Sequence, residues 1–174
     1  IITADMIGTL CWIESEGTVV LQGDLNIQGD LQIVASQCEI VGKCQVKGKS
    51  LIITDHLVIG DGNVATKVKL LGESYVNAAR SELLSNTRFI LNHQHTKQTC
   101  HFRVDEALMV ELDATLYLNN SVSALAKVFN QGNVVIYNCE TEIDTVLQQG
   151  YFLTENANVT VFDYVTQDNN AYTE

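Results

Sequence analysis

The chain has 174 residues, no proline, five cysteines and a net charge of −11, with 21 acidic side chains against 10 basic ones. That length buries roughly two thirds of the unfolded chain's surface, enough for one independent core. The acidic balance argues against a nucleic-acid partner, whose phosphates the summed field repels, and no apolar run approaches the ~20 residues of a transmembrane helix.

The first residues, IITADMIGTLCW, have neither an initiator Met nor the basic start of a signal peptide. The chain therefore reads as an excised or mature piece of a longer protein. From Val19 to Asp61 seven near-copies of a six-residue unit follow one another: VVLQGD, LNIQGD, LQIVAS, an extra Gln37, then CEIVGK, CQVKGK, SLIITD and HLVIGD. Odd positions are apolar or small, so they point inward with the two-residue period of a strand, while even positions point outward. The small residue at position five is where the chain turns. Short strands joined by repeated corners predict a parallel β-helix.

Three units per coil place units one, four and seven on a first wall, two and five on a second, and three and six on a third. Asp24, Lys43 and Asp61 then stack on the first wall, and Asp30 and Lys49 on the second, at the ~4.8 Å spacing of neighbouring strands. Inward columns comprise Leu21, Ile40 and Val58, then Ile27 and Val46, then Ile33 and Ile52, each contributing roughly 1.5 to 3 kcal/mol by burial. Gln37 is expected to be absorbed as a corner or bulge.

Beyond Asp61 the aliphatic cores persist, centred on Leu70, Leu91, Leu112, Ile136 and Leu153 after Ile33 and Ile53, about 20 residues apart. Asn92, Asn119 and Asn138 end strands there, and Asn accepts the left-handed backbone of sharp corners. Two segments have helical character, Val76 to Leu84 and Val122 to Phe129, with a capping turn or bulged corner as the alternative. The expected fold is all-β: a single-stranded right-handed parallel β-helix of about eight coils, about 20 residues each. It forms one domain over residues 1–174, with regular repeats at 19–61, more irregular coils at 62–165 and a tail at 166–174.

Cys11, Cys38, Cys44, Cys100 and Cys139 form no C-x-x-C pair and read as buried free thiols, which favours a reducing compartment. Residues 92–106, NHQHTKQTCHFRVDE, bring His93, His95, Cys100 and His101 close in sequence, ligand types that suit zinc, but the spacing matches no zinc motif. Nearby Asp105, Glu106, Glu111 and Asp113 could supply paired carboxylates for glycoside cleavage. No residue is assigned a catalytic, cofactor or metal role. All ten basic side chains lie between Lys43 and Lys127, so the middle coils form a basic band between acidic ends, suited to an acidic glycan or lipid head group, or to solvated ladder charges.

Three family resemblances follow from these repeats. The hexads resemble those of left-handed β-helix acyltransferases, which implies a histidine base, and His56 is the one candidate within the repeat. GTVVLQGDLNIQGDLQI looks like bactofilin-type coils, which implies end-to-end assembly. GDLNIQGDLQIVAS with VFNQGNVVIYN is similar to the coils of filamentous-haemagglutinin-like adhesins, which implies a right-handed coil and a cell-surface or secreted location; decisive free cysteines would instead imply the cytoplasm.

Outward positions of the last two hexads hold Leu51, Ile53, Leu57 and Ile59, stacked over Val34 and Val41. A solvated wall is not built this way. Two apolar outer stripes result, to be covered either by the chain's own C-terminal YFLTENANVTVFDYV or by an intermolecular contact. In the latter case these six residues are the expected partner-binding surface, for a protein partner or a second copy, with a glycan as a further candidate. The expected function is a non-enzymatic scaffold or binding module of a larger bacterial-type protein, for adhesion or self-assembly. The alternative is a carbohydrate-active enzyme or an acyltransferase.

Overall fold

From Asp30 to Val46 burial follows the two-residue period of a strand, with Leu31, Ile33 and Ala35 inside, until one residue breaks the phase. After Gln37 it resumes with Cys38, Ile40, Cys44 and Val46 inside. The extra residue thus bends one continuous strand around a corner while keeping both halves facing one interior. A computed structural model describes residues 10–92, 100–166 and 172–173. Its fourteen strands are β1 (Leu10–Ile27), β2 (Asp30–Val46), β3 (Ser50–Ile59), β4 (Thr66–Leu70), β5 (Ser74–Leu83), β6 (Thr87–Asn92) and β7 (Cys100–Val110), then β8 (Thr115–Asn119), β9 (Ser121–Asn130), β10 (Asn133–Tyr137), β11 (Glu140–Gln148), β12 (Tyr151–Glu155), β13 (Asn158–Thr166) and β14 (Tyr172–Thr173).

All pairings are parallel, in the order β13-β11-β9-β7-β5-β3-β2-β4-β6-β8-β10-β12-β14, with β1 on β2. The chain is therefore a parallel β-solenoid of about eight turns. Each later turn has one long strand, bent into the third and first walls, and one short strand that forms the second. Among the described residues there is no helix, and Val76–Leu83 and Ser121–Asn130 lie in β5 and β9. Both segments alternate buried and exposed residues once their bend is counted, and the bend is what gives them a helix-like spacing.

The hexad register holds for six of the seven units: Val19 pairs with Cys38, Leu25 with Cys44 and Leu31 with Ser50. The seventh is displaced. Gln37 pairs with His56 and Cys38 with Leu57, so the unit starts at Leu57 and His56 is its own extra bend residue. Leu57 and Ile59 consequently face the core and are fully buried, whereas Val58 faces outward.

Coil length also varies more than the average beat implies. Leu31 pairs nineteen residues on with Ser50, Ser50 twenty-four on with Ser74, and Tyr75 twenty-six on with His101. Val122 pairs eighteen on with Glu140. Insertions at corners cause the spread; Leu112 lies outside rather than at a core centre, and Ile53 faces outward as its even position in the hexad requires.

The interior is a set of stacked columns. On the first wall Leu21, Ile40, Ile59, Leu83 and Val110 lie in register, ending in the amide pair Asn130 and Gln148. Asn130 Nδ2 donates to Gln148 Oε1 at 3.2 Å and to the Tyr151 carbonyl at 2.9 Å, which satisfies its amide nitrogen, while its buried Oδ1 has no hydrogen-bond partner among the described residues. Phe89 of the second wall meets Phe102 of the third edge-on, with centroids 5.7 Å apart, and fills the widest turns.

Corners form columns as well. Gly23, Gly42 and Gly60 all have positive φ, and a Cβ on Gly42 would lie 2.6 Å from the Gly23 carbonyl oxygen. Later corners use Asn86, Asn120, Asn138 and Asn156 in the left-handed region. Asn138 meets the sequence expectation. Asn92 and Asn119 also end strands as expected, though without the left-handed backbone, and Asn119 Nδ2 donates to Asn92 Oδ1 at 2.8 Å.

Gly42→Val is expected to destabilise the fold by at least ~1 to 3 kcal/mol, from strained φ plus the collision with Gly23. Thermal melting followed by circular dichroism measures it, and Gly62→Val, with positive φ but open space, isolates the φ contribution.

Candidate functional site

Because strands stack in register, outward residues form columns just as inward ones do, and a surface property persists only if successive coils supply it. On the third wall one column runs Glu14, Val34, Ile53, Asn77, Arg103 and its neighbour runs Trp12, Gln32, Leu51, Tyr75, His101. Val34 and Ile53, at 37% and 38% exposed, stack directly, flanked by half-buried Leu51. Trp12 is 66% exposed and Tyr75 41%, and the Tyr75 ring lies 5.9 Å from that of His101. This apolar patch has charged ends: Glu14 at one, and Arg103 with Asp105 2.6 Å from it at the other.

Of the six residues expected to form the partner surface, Val34, Leu51 and Ile53 lie together on this wall. Val41 lies on the first wall, beyond the bend at Gln37, and is half-buried. Leu57 and Ile59 lie in the core because of the one-residue register displacement, so the second apolar stripe does not form. Trp12 and Tyr75 belong to the patch although they fall outside the hexads.

A second apolar strip escaped the sequence reading. Met109, Phe129, Leu147 and Val165 stack on the outer first wall over four successive coils. Their spacing of twenty, eighteen and eighteen residues was the available signal, masked because a helix over Val122 to Phe129 removes Phe129 from any ladder.

The residues with chemical potential are mostly committed to the scaffold. His56 Nε2 lies 3.1 Å from Glu82 Oε1 at the bend between the third and first walls. Glu106 pairs with Arg80 at 2.6 Å, and Glu111 Oε2 accepts from the Ser85 amide at 2.9 Å and from its hydroxyl at 3.2 Å. Asp113 occupies a left-handed corner. His93 and His95 lie outside the described residues. Cys100 faces the core and His101 the solvent, so this pair does not share a face. Among the described residues no group of three or more His, Cys, Asp or Glu side chains could hold a metal ion, and no helix is long and apolar enough to cross a membrane.

Charge ladders depart from the sequence pattern in an informative way. Asp24 and Lys43 pair at 3.3 Å as expected. Lys43 then stacks on Lys67 rather than Asp61, whose carboxylate turns into its own corner and accepts from the Asn63 and Val64 amides at 2.9 and 2.8 Å. Those two amides hold the Asp61 pKa below the ordinary carboxylate value. Asp30 accepts from the Lys49 backbone amide at 2.7 Å, while the Lys49 ammonium pairs with Glu73 at 2.9 Å.

All five cysteines are buried free thiols. Burial pushes Cys38 and Cys44 from the ordinary 9.0 up to about 12, with smaller contributions from Cys44 and Glu39 on Cys38 and from Cys11 on Cys44. No family model, no curated protein and no solved structure matches the chain.

Raised thiol pKa values stabilise the fold fully below pH 9, and this contribution is lost as pH rises from 9 toward about 12. Urea midpoints measured from neutral pH to pH 11 are expected to fall, and Cys38→Ala/Cys44→Ala is expected to flatten that alkaline decline even though its baseline stability is lower.

Proposed function

We propose that this chain is a non-enzymatic β-solenoid module that acts as a scaffold by binding a second copy of itself through the outer third wall. The observation that carries this reading is the stack of exposed Val34 and Ile53 beside Leu51, with Trp12 and Tyr75 at its margins. Such a face exposes contiguous apolar area that water solvates poorly.

The order of side chains favours a second copy over an unrelated protein. A two-fold contact needs a self-complementary patch, in which each residue meets its symmetry counterpart across the centre. Centred on Ile53 and Leu51, antiparallel apposition brings Glu14 of one copy opposite Arg103 of the other, and Trp12 opposite His101. Ile53 then meets Ile53 and Leu51 meets Leu51. Glu14 thus meets the guanidinium of the Arg103–Asp105 pair, an aromatic ring meets an imidazole, Val34 meets Asn77, Gln32 meets Tyr75, and Ile53 and Leu51 close on themselves. The flat ladder also presents a rigid surface, so little conformational entropy is lost on docking.

Sedimentation velocity at micromolar concentration is expected to give a dimer for the wild type and a monomer for Ile53→Glu, with both melting at similar temperatures. A monomeric wild type, or a dimer indifferent to Ile53→Glu, sinks this reading.

A further inference from the structure

The second wall carries an arrangement that folding does not explain. Lys43, Lys67 and Arg88 stand directly in register on three successive coils, and Lys69 lies two residues along from Lys67. Like charges opposite one another on adjacent strands are destabilising. Elsewhere in this molecule Lys49 pairs with Glu73 at 2.9 Å, Arg80 with Glu106 at 2.6 Å and Arg103 with Asp105 at 2.6 Å, while Lys47 and Lys127 stand without a carboxylate partner among the described residues but not stacked on another base. Lys43 has Asp24, but among the described residues no carboxylate pairs with Lys67, Lys69 or Arg88. In a chain with 21 acids and 10 bases, leaving three neighbouring cations unpaired on one wall singles that wall out.

The wall around them is shaped to receive something. A shallow groove of about 520 Å³ runs past Asp24, Asn26, Lys43, Gln45, Lys67 and Lys69. In the next coils the column of Lys67 and Arg88 continues as Thr115, Asn133 and Tyr151, and that of Lys69 as Ile90, Tyr117 and Val135. Cations therefore give way to hydroxyl, amide and phenol side chains in the first column, and to Tyr117 between two aliphatic residues in the second, along one track parallel to the solenoid axis. Tyr117, Asn133 and Tyr151 are half-buried and held in register, so a ligand finds them already ordered.

We propose that the outer second wall binds an acidic glycan, a saccharide chain bearing carboxylate or sulfate groups. Lys67, Lys69 and Arg88 take the acidic groups, while Tyr117 and Tyr151 offer ring faces to the sugars. The whole-molecule charge of −11 opposes every polyanion, so binding rests on the local cations of this wall, and single-stranded DNA is the competing polyanion in the test.

The test is titration calorimetry of the full chain with oligogalacturonate (carboxylate), heparin fragments (sulfate), neutral dextran and single-stranded DNA. Saturable binding to either or both acidic glycans, weakening with salt, is expected, with no binding to dextran. Lys67→Gln/Arg88→Gln is expected to weaken it by about tenfold or more, as loss of two charge-assisted contacts requires. Lys127→Gln, on the first wall, removes a cation without effect. Thermal melting of each variant separates lost binding from lost folding, and Lys69→Gln provides a second, single-site variant. The proposal is overturned by absent binding, by equal affinity for DNA, or by binding that ignores these substitutions. It is also overturned if Lys67→Gln/Arg88→Gln changes the oligomeric state, which would assign the track to the acidic end of a second copy. Ile53→Glu leaves glycan binding intact, so this site and the third-wall contact stand or fall separately.

Discussion

In-register stacking of parallel strands is the constraint on which everything else in this solenoid depends. Each side chain sits ~4.8 Å from its counterpart in the coils above and below, so the chain writes columns rather than isolated contacts. Inward, a column of Leu21, Ile40, Ile59, Leu83 and Val110 excludes water along its length. Outward, the same geometry concentrates whatever the sequence places there, aliphatic on the third wall and cationic on the second. A feature weak in one coil becomes a surface when three coils repeat it.

Corners are where this regularity is interrupted and where the coils acquire individual lengths. Glycines with positive φ close the early turns because a neighbouring carbonyl leaves no space for a Cβ, as at Gly42 over Gly23. Asparagines in the left-handed region close the later ones. An insertion at a corner lengthens a coil without disturbing register on the walls, so coils of eighteen and twenty-six residues share one core. Charged side chains then adapt to the corner they meet: Asp61, aligned by the repeat with Lys43, caps its own turn instead.

The two proposed surfaces differ in the physics that would hold a partner. The third wall offers apolar area with Glu14 at one end and the Arg103–Asp105 pair at the other, an arrangement that closes on its own copy. The second offers unpaired cations followed by polar and aromatic side chains, an arrangement that suits a linear acidic chain. The two lie on different walls, so occupation of one would leave the other open.

The sequence by itself determined the architecture, because a two-residue alternation interrupted by small residues at a fixed interval has few other packed solutions. It determined the inward columns of the first six hexads, the buried state of the cysteines and the outward position of Val34, Leu51 and Ile53. Tertiary structure alone decided the register of the seventh unit, since a single extra residue, His56, could be counted with the strand or with the bend. That one choice moved Leu57 and Ile59 from the surface to the core and separated Val41 from its supposed neighbours. It also decided which charges meet: Lys43, Lys67 and Arg88 are twenty-four and twenty-one residues apart, and only corner insertions of unequal length bring them into one ladder. Local alternation is written residue by residue, whereas register across coils depends on how much chain each corner absorbs, a quantity settled only when the turns pack against one another.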